Sequence, residues 1–303
     1  VGPDEFHEHV DNNAYTNYLV RWHLRQAAHV YAELSVTHPD ELADLAHRIG
    51  LTSEEVQGWL DQAERIQLPG HTEDGVIEQF DGYFGLETLP VTLDENDMPQ
   101  YPPGYDPHNV AGSKLLEQPD VVMLTYVLPD EFPDAVKLAN YEHYEPLTLH
   151  KSSLSPAIHA IMGIEVGDPS RAMQYFRRSA WVDLIDNQGN TQEGIHIASA
   201  GGTWQMVVCG FGGFRVHGGR MTFKPWLPPG WNAVAFKLKW HGNVLSVEVR
   251  HDSARFLLTA AEGTPARRGE GRQGSREDIV VNGVNTALPA NEEIVVDLIR
   301  TPR

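Results

Sequence analysis

Cysteine is almost missing from this chain. Cys209 stands alone among 303 residues, so no internal disulfide framework can exist and a reducing, cytoplasmic setting is expected. Cations are also scarce. Lys and Arg number 23 against 42 Asp and Glu, a net charge of −19, and such a surface repels a phosphodiester backbone, so nucleic acid is not an expected partner. Long apolar runs are absent too. The longest, around Val121–Leu128, falls far short of the roughly 20 residues that cross a bilayer, and no membrane partner is expected. The ordinary effect of the acidity is solubility.

What is present suits one large or two smaller domains, with 41% hydrophobic residues to build the cores. Tyr15, Tyr18, Leu19, Trp22, Leu24, Ala28 and Tyr31 recur near helical spacing, which predicts a helix over Asn13–Leu34 with Asp11 or Asn12 as its cap. Pro39–Ile49 and Ser53–Ile66 read as two more helices, the second capped by Thr52 or Ser53. Pro69–Gly112 is irregular and rich in Pro, Gly, Asp and aromatic residues, and a stretch of that length is usually functional. Helical spacing returns over Lys114–Leu128, Asp130–His143, Ser155–Val166, Pro169–Asp183 and Gly202–Val216. Several glycines on the last of these suggest close packing against a neighbour.

After Gly218 the period changes to two. Met221–Lys224, Ala233–Trp240, Val244–Arg250, Ala254–Thr259, Ile279–Val284 and Glu293–Ile299 read as strands of a small antiparallel sheet module, with Trp240-His241-Gly242-Asn243 as a hairpin turn. Arg267–Arg276 reads as a Gly/Arg-rich loop. The expected fold class is mainly α followed by β, with residues 1–217 helical and 218–303 an antiparallel β domain. Periodicity leaves open whether the helices form a bundle, a solenoid or an α/α barrel.

Three stretches could carry chemistry. Val1–Tyr18 sets Asp4-Glu5 beside His7, Glu8, His9 and Asp11. Paired carboxylates can lift each other's pKa as a general acid requires, although an acidic loop before a helix is the commoner meaning of such a pair. The histidines could imitate a metal site, but they are crowded too closely along the chain for a closed zinc site, and no metal is expected. In LTLHKSSLSP, His150, Lys151, Ser152 and Ser153 precede a helix, which describes either an anion site or a plain Ser-Pro cap. In EGIHIASAGGTW, His196 and Ser199 precede Gly201-Gly202-Thr203, read here as the opening of a helix whose N–H groups a ligand can approach. Neither a P-loop nor a GxSxG elbow is present, which disfavours a nucleotide site and a serine hydrolase.

GPDEFHEHVDNNAYTNY, LHKSSLSPAIHAI and EGIHIASAGGTW, in this order, resemble the inverting disaccharide phosphorylases of glycoside hydrolase family 65, and RMTFKPWLPPGWNAVAFKLKWHGNVLSVEV looks like that family's C-terminal β domain. The resemblance implies the second half of an (α/α)6 barrel followed by the β domain. It also implies a fragment, because a β-sandwich and the first half-barrel normally precede the first motif. It makes Glu5 the general acid and inorganic phosphate the nucleophile, with β-glucose 1-phosphate and a free sugar as products. Phosphate is then held by Ser152, Ser153, His196 and the backbone at Gly201-Gly202. No cofactor is implied, since phosphate is a substrate; the implied partners are a disaccharide and phosphate, in a homodimer.

One departure bears on the sugar. The family pattern is Lys-Gln-Ala-Asp, its Lys-Gln pair holding the glycone, whereas here the stretch is Glu117-Gln118-Pro119-Asp120. A carboxylate only accepts where an ammonium only donates, so the hydrogen-bond pattern must differ. Glu117, Gln118, His150 and Lys151 are the expected sugar contacts. Trp22, Trp204 and the Tyr101–Tyr105 loop are candidate stacking groups, with plain packing the commoner role for each. Two other readings compete: a hydrolase on the same scaffold with Glu193 near the nucleophile, and an inactive carbohydrate-binding relative.

Overall fold

The computed structural model describes residues 2–95, 98–260 and 276–298. Most of the Gly/Arg-rich stretch 267–276 lies outside them. The chain falls into two compact units, Val1–Ser152 and Ser153–Arg303.

The first unit begins with a hydrogen-bonded segment that leads into α1 (Ala14–Thr37). Asn13, not Asp11 or Asn12, caps this helix, its side chain accepting from the Thr16 N–H at 3.0 Å. Asn12 instead takes a left-handed φ of 53° and donates to Asp81 at 2.6 Å. Helices α2 (Pro39–Ile49) and α3 (Ser53–Arg65) follow, and α3 is capped by Thr52. The long irregular stretch contains only short 3-10 turns and a two-residue ladder of β1 (Thr92–Leu93) with β2 (Pro99–Gln100).

Helix α4 (Asp120–Val127) is much shorter than the spacing predicts. Residues 114–119 form bends and one isolated bridge instead: Lys114 N–H donates to the Glu87 carbonyl at 2.8 Å and Leu116 N–H to the Leu147 carbonyl at 3.0 Å. Pro119 accounts for the boundary, since the residue before a proline is pushed out of helical space. The segment expected as one helix over 130–143 is a 3-10 turn, Pro129–Glu131, and then α5 (Asp134–Tyr144), divided at Pro133 for the same reason. A core of Phe6, Leu89, Val110, Leu115 and Leu149, with Tyr101 packed on it, fastens the N-terminal segment to these loops.

The second unit opens with α6 (Ser155–Val166) and α7 (Pro169–Ala180). α7 ends three residues early, leaving Asp183 in the turns that follow. Helix α8 (Ile197–Gln205) starts before the predicted point, passes into a π-helical stretch, Met206–Phe211, and gives way to strand β3 (Phe214–His217) where a continuing helix was expected. Gly213 makes that exit possible: it takes φ +64°, and a Cβ there would lie 2.2 Å from the Lys224 backbone.

Strands β4 (Arg220–Phe223), β5 (Val234–Trp240), β6 (Asn243–Val249), β7 (Ser253–Ala260), β8 (Glu277–Val281), β9 (Val284–Leu288) and β10 (Glu293–Asp297) complete two four-stranded sheets, ordered β10-β7-β6-β5 and β3-β4-β8-β9. All neighbours are antiparallel except β4 and β8. The His241-Gly242 turn joins β5 to β6 as predicted, both residues at positive φ. Asn282-Gly283 makes a second such turn, so the single strand expected over 279–284 is the start of a hairpin. Phe223, Leu245, Val247, Phe256, Leu258 and Ile279 fill the space enclosed by the strands.

Candidate active site

The N-terminal segment is built around Asp4. Its carboxylate is buried and accepts from the Phe6 N–H at 3.4 Å, His7 Nδ1 at 2.6 Å, Gln79 Nε2 at 3.0 Å and the Glu117 N–H at 2.9 Å. Its own N–H donates to Asp120 Oδ1 at 2.6 Å. Asp120, fully buried at the start of α4, also receives Asn13 Nδ2 at 2.8 Å, so the cap of α1 and the first residue of α4 grip the same motif. Such a charge is tolerated in the interior only because donors surround it.

His7 has an acceptor at each ring nitrogen, Asp4 at Nδ1 and the Ser113 carbonyl 3.0 Å from Nε2. Both nitrogens must therefore carry hydrogen, and the ring is an imidazolium. Burial alone would lower its pKa, but the Asp4 hydrogen bond and charge, the Ser113 carbonyl and the Asp120 charge together raise it. Burial, followed by the charge of Asp4, pushes Asp120 up to about 7, opposed by the Asn13 and Asp4 hydrogen bonds and by His7. His7 is thus spent on structure, and His9 is exposed, 3.9 Å from Glu8. Among the described residues no three His, Cys, Asp or Glu side chains converge as a metal site would require.

This frame leaves Glu5 pointing outward. Asp4 and Phe6 on either side are buried, while Glu5 is exposed. Glu117 follows on the neighbouring segment, its N–H on the Asp4 carboxylate, and burial, then the charges of Glu5 and Asp4, lift its pKa to about 7. Gln118 Nε2 donates to the Pro3 carbonyl, so both residues of the expected sugar-binding pair are tied to Pro3 and Asp4. Tyr101 packs on Phe6 with ring centroids 5.8 Å apart, which puts this one of the candidate stacking groups next to the acid motif. Lys151 donates to the Pro99 carbonyl at 2.7 Å and lies 5.3 Å from the Tyr101 ring centre. His150 is buried at φ +50°. Trp22 is far from fully covered on α1.

The anion-loop candidates divide between the units. Ser152 closes the first, half-buried, and Ser153, Glu193, His196, Gly201 and Gly202 belong to the second. Helix α6 begins at Ser155-Pro156 with Leu154 at its N-cap position and no side-chain cap hydrogen bond, so the plain Ser-Pro cap weighed above is not formed. His196 stands at the N-cap of α8. Its N–H donates to Asp183 Oδ2 at 2.9 Å and its Nδ1 to Asp183 Oδ1 at 2.6 Å. The His196 hydrogen bond in turn is the main reason the Asp183 pKa is lowered. With Nδ1 held, Nε2 is the ring atom left for a ligand, and no partner for it lies among the described residues.

Gly201 and Gly202 do not open the helix. They are its fifth and sixth residues, where N–H groups are already engaged in the helical ladder, so their backbone is not free to cradle an anion. Gly202 serves packing, as a Cβ there would come within 2.8 Å of the Ala157 Cβ on α6. Ile197 N–H donates to the Ile195 carbonyl at 3.0 Å and Ala200 N–H to the His196 carbonyl at 3.1 Å, so the N–H groups of the first turn left for a ligand are those of Ala198 and Ser199. The Ser199 hydroxyl meets that of Ser179 at 3.0 Å inside the core. Sequence reasoning missed Asp120, Gln79 and Asp183. Asp120 and Gln79 lie 116 and 75 positions from Asp4, and Asp183 lies 13 from His196, spacings that no helix or strand period connects.

Residues 1–205 match the glycosyl hydrolase family 65 central catalytic domain and residues 214–267 the family 65 C-terminal domain. A kojibiose phosphorylase of Caldanaerobacter subterraneus subsp. tengcongensis is 47% identical over 251 residues, covering 82% of this chain and 33% of that protein. The kojibiose phosphorylase of Thermoanaerobacter brockii is 46% identical, covering 90% of this chain and 36% of that protein. An alpha,alpha-trehalose phosphorylase of the same organism is 36% identical, covering 86% and 34%. A solved structure described as a candidate kojibiose phosphorylase from the human microbiome superposes with a TM-score of 0.81 at 27% identity, covering all of this chain and 42% of that one. The chain spans about a third of the length of the curated relatives it matches.

Proposed function

Because the chain belongs to glycosyl hydrolase family 65, with part of an (α/α) barrel followed by a C-terminal β domain, we propose that it works in the phosphorolysis of an α-linked glucosyl disaccharide. Glu5 is the general acid. The observation that carries this reading is the contrast between Asp4, sunk among its donors, and Glu5, turned outward from the same rigid frame. A proton donor must be held at one spot yet reach solvent-accessible substrate, and the Asp4 clamp meets both demands.

Protonation of the glycosidic oxygen by Glu5 releases the acceptor sugar. Phosphate attacks the anomeric carbon from the opposite face, so the configuration inverts and β-glucose 1-phosphate results. Phosphate is itself an anionic nucleophile, so no second carboxylate is needed to activate it, unlike the water of an inverting hydrolase. His196, fixed by Asp183, is proposed to donate to that phosphate through Nε2, with the first turn of α8 and Ser153 as further donors. In this assignment Gly201 and Gly202 shape the helix and do not touch the anion.

The relatives at 46–47% identity are named for kojibiose, which makes it the first disaccharide to try. The test is release of sugar 1-phosphate from kojibiose with and without inorganic phosphate. Turnover that requires phosphate and yields the β-anomer is expected. Turnover to free glucose that ignores phosphate removes the proposal.

A further inference from the structure

Residues 4–7 fold into a closed turn that carries Glu5. The Asp4 carboxylate closes it twice, accepting the Phe6 N–H at 3.4 Å and His7 Nδ1 at 2.6 Å. The His7 ring then reaches beyond the turn, its Nε2 donating to the Ser113 carbonyl at 3.0 Å, 106 positions along the chain. Phe80 and Tyr83 pack on the ring, with centroids 5.0 and 6.2 Å away. His7 is only 4% exposed, so little water screens these contacts.

We infer that His7 is a positioning residue for Glu5: as an imidazolium it ties the turn that carries the acid to Ser113, and loss of one ring proton opens that tie. The inference rests on Glu5 being the acid of the proposed reaction. Both neighbours of the ring are acceptors. The Ser113 carbonyl has no proton to give. The Asp4 carboxylate already receives Gln79 Nε2 and the N–H groups of Phe6 and Glu117, which calls for its ionised form. A neutral imidazole has one N–H and must turn a lone pair on one of the two oxygens. Repulsion then replaces a hydrogen bond inside the protein, where no water can take its place. If Nδ1 is the bare nitrogen, Asp4 loses its shortest side-chain contact, and Glu5, held between Asp4 and Phe6, loses its fixed position.

Three titratable groups face the ring. Asp4 does so within the turn and Asp120 from the start of α4. Tyr83 does so from the 3-10 turn Tyr83–Gly85. Burial first, then Tyr144, Asp4 and Asp120, hold its phenol well above the ordinary range, and its hydroxyl donates to the Lys114 carbonyl at 2.8 Å, so it stays neutral. Burial by itself lowers the His7 pKa, but the Asp4 hydrogen bond and charge, the Ser113 carbonyl and Asp120 reverse this and raise it above 6.5. The tie is therefore complete at acidic pH and is lost as pH rises through the raised value.

The experiment measures kcat and KM for phosphorolysis with the full chain and with His7→Gln, from about pH 6 to about pH 9. Phosphate titrates in this range too, but equally for both proteins, so the comparison isolates the ring. The parent is expected to show a basic limb in kcat that His7→Gln lacks. An amide can donate to one of the two oxygens but not bridge them, so kcat of the variant should lie about tenfold below the parent's acidic plateau at every pH, with KM for the disaccharide within about twofold. Nitrogen-15 NMR of the His7 ring reads the same event in the parent without turnover: both nitrogens should carry hydrogen on the plateau, and the ring should titrate at the pH of the limb. A limb that persists unmoved in His7→Gln overturns the inference, and so does a ring that holds one proton on the plateau or titrates away from the limb. The NMR result decides by itself if the variant does not fold. Glu5→Gln separates the two levels. Full phosphorolysis retained there removes Glu5 as the acid, whereas activity lost there together with an unmoved limb in His7→Gln removes only the role of His7.

Discussion

Asp183 grips His196 at two points, Oδ2 on the backbone N–H at 2.9 Å and Oδ1 on ring Nδ1 at 2.6 Å. The ring is thereby oriented with Nδ1–H on Asp183, which leaves Nε2 as the ring atom for a ligand. Asp183→Asn keeps the size but replaces one accepting oxygen with a donor, so the ring loses its anchor. Binding of phosphate should weaken roughly tenfold, the loss one charge-assisted hydrogen bond commonly causes. KM for phosphate should rise far more than KM for the sugar; equal changes in both would count against a phosphate role for His196.

Removing the proton from position 5 should show in the chemistry and not in binding. Glu5→Gln is expected to lower kcat for phosphorolysis of a natural disaccharide by about a thousandfold, within the usual range for a lost general acid. A glucosyl donor with a leaving group that needs no protonation should lose much less. An equal loss on both donors would mean that Glu5 does something other than supply a proton.

The Asp4 frame is a stability element. Asp4→Ala strands an imidazolium and several donors in the interior, and a cost of about 3–5 kcal/mol is expected from breaking such a buried network. Denaturant unfolding measures it. A loss below about 1 kcal/mol would place Asp4 among ordinary surface-type contacts.

Stability should fall as pH rises through neutrality. His7 has its pKa raised in the fold, so its contribution is complete below its ordinary value of 6.5 and is lost as pH passes the raised one. Asp120 and Glu117, raised from 3.8 and 4.5 to about 7, favour their protonated forms; their contribution is complete at acidic pH and is lost on the way to about 7. All three act in the same direction. The melting temperature at pH 6 should therefore exceed that at pH 8, and Glu117→Gln should narrow the gap. A melting temperature that climbs from pH 6 to pH 8 contradicts this.

The adjacent glycines of α8 should behave oppositely. Gly201 has open space where a Cβ would stand, so Gly201→Ala should stabilise the helix by about 0.5–1 kcal/mol. Gly202→Ala meets the Ala157 methyl and should cost about 1–3 kcal/mol through overpacking. If Gly201→Ala instead raises KM for phosphate sharply, the anion does approach that backbone, contrary to the ladder argument.

Much of this was legible from residues alone. Helix limits Pro39–Ile49 and, one residue long at its end, Ser53–Ile66 follow from caps and periodicity, and the His241-Gly242 hairpin from its turn residues. The three ordered motifs led to the family that the comparisons show. Other elements were misread where a local break outweighed a longer pattern. Pro119 and Pro133 truncate apolar runs that look helical, and Gly213 turns a glycine-rich helix into a strand. Asn282-Gly283 was a readable turn that the apolar run around it concealed.

The sequence by itself determined which groups are available: an acidic pair, hydroxyls and a histidine ahead of helices, and too few cysteines or cations for several other chemistries. Only the tertiary structure decided how the acidic pair divides. Asp4 is buried because Asp120, Gln79, Ser113 and Glu117, between 75 and 120 positions along the chain, converge on it and on His7. Local propensity carries no information about such partners. Whether a carboxyl becomes a structural anchor or an exposed acid depends on how many donors the fold brings to it and how much water it removes.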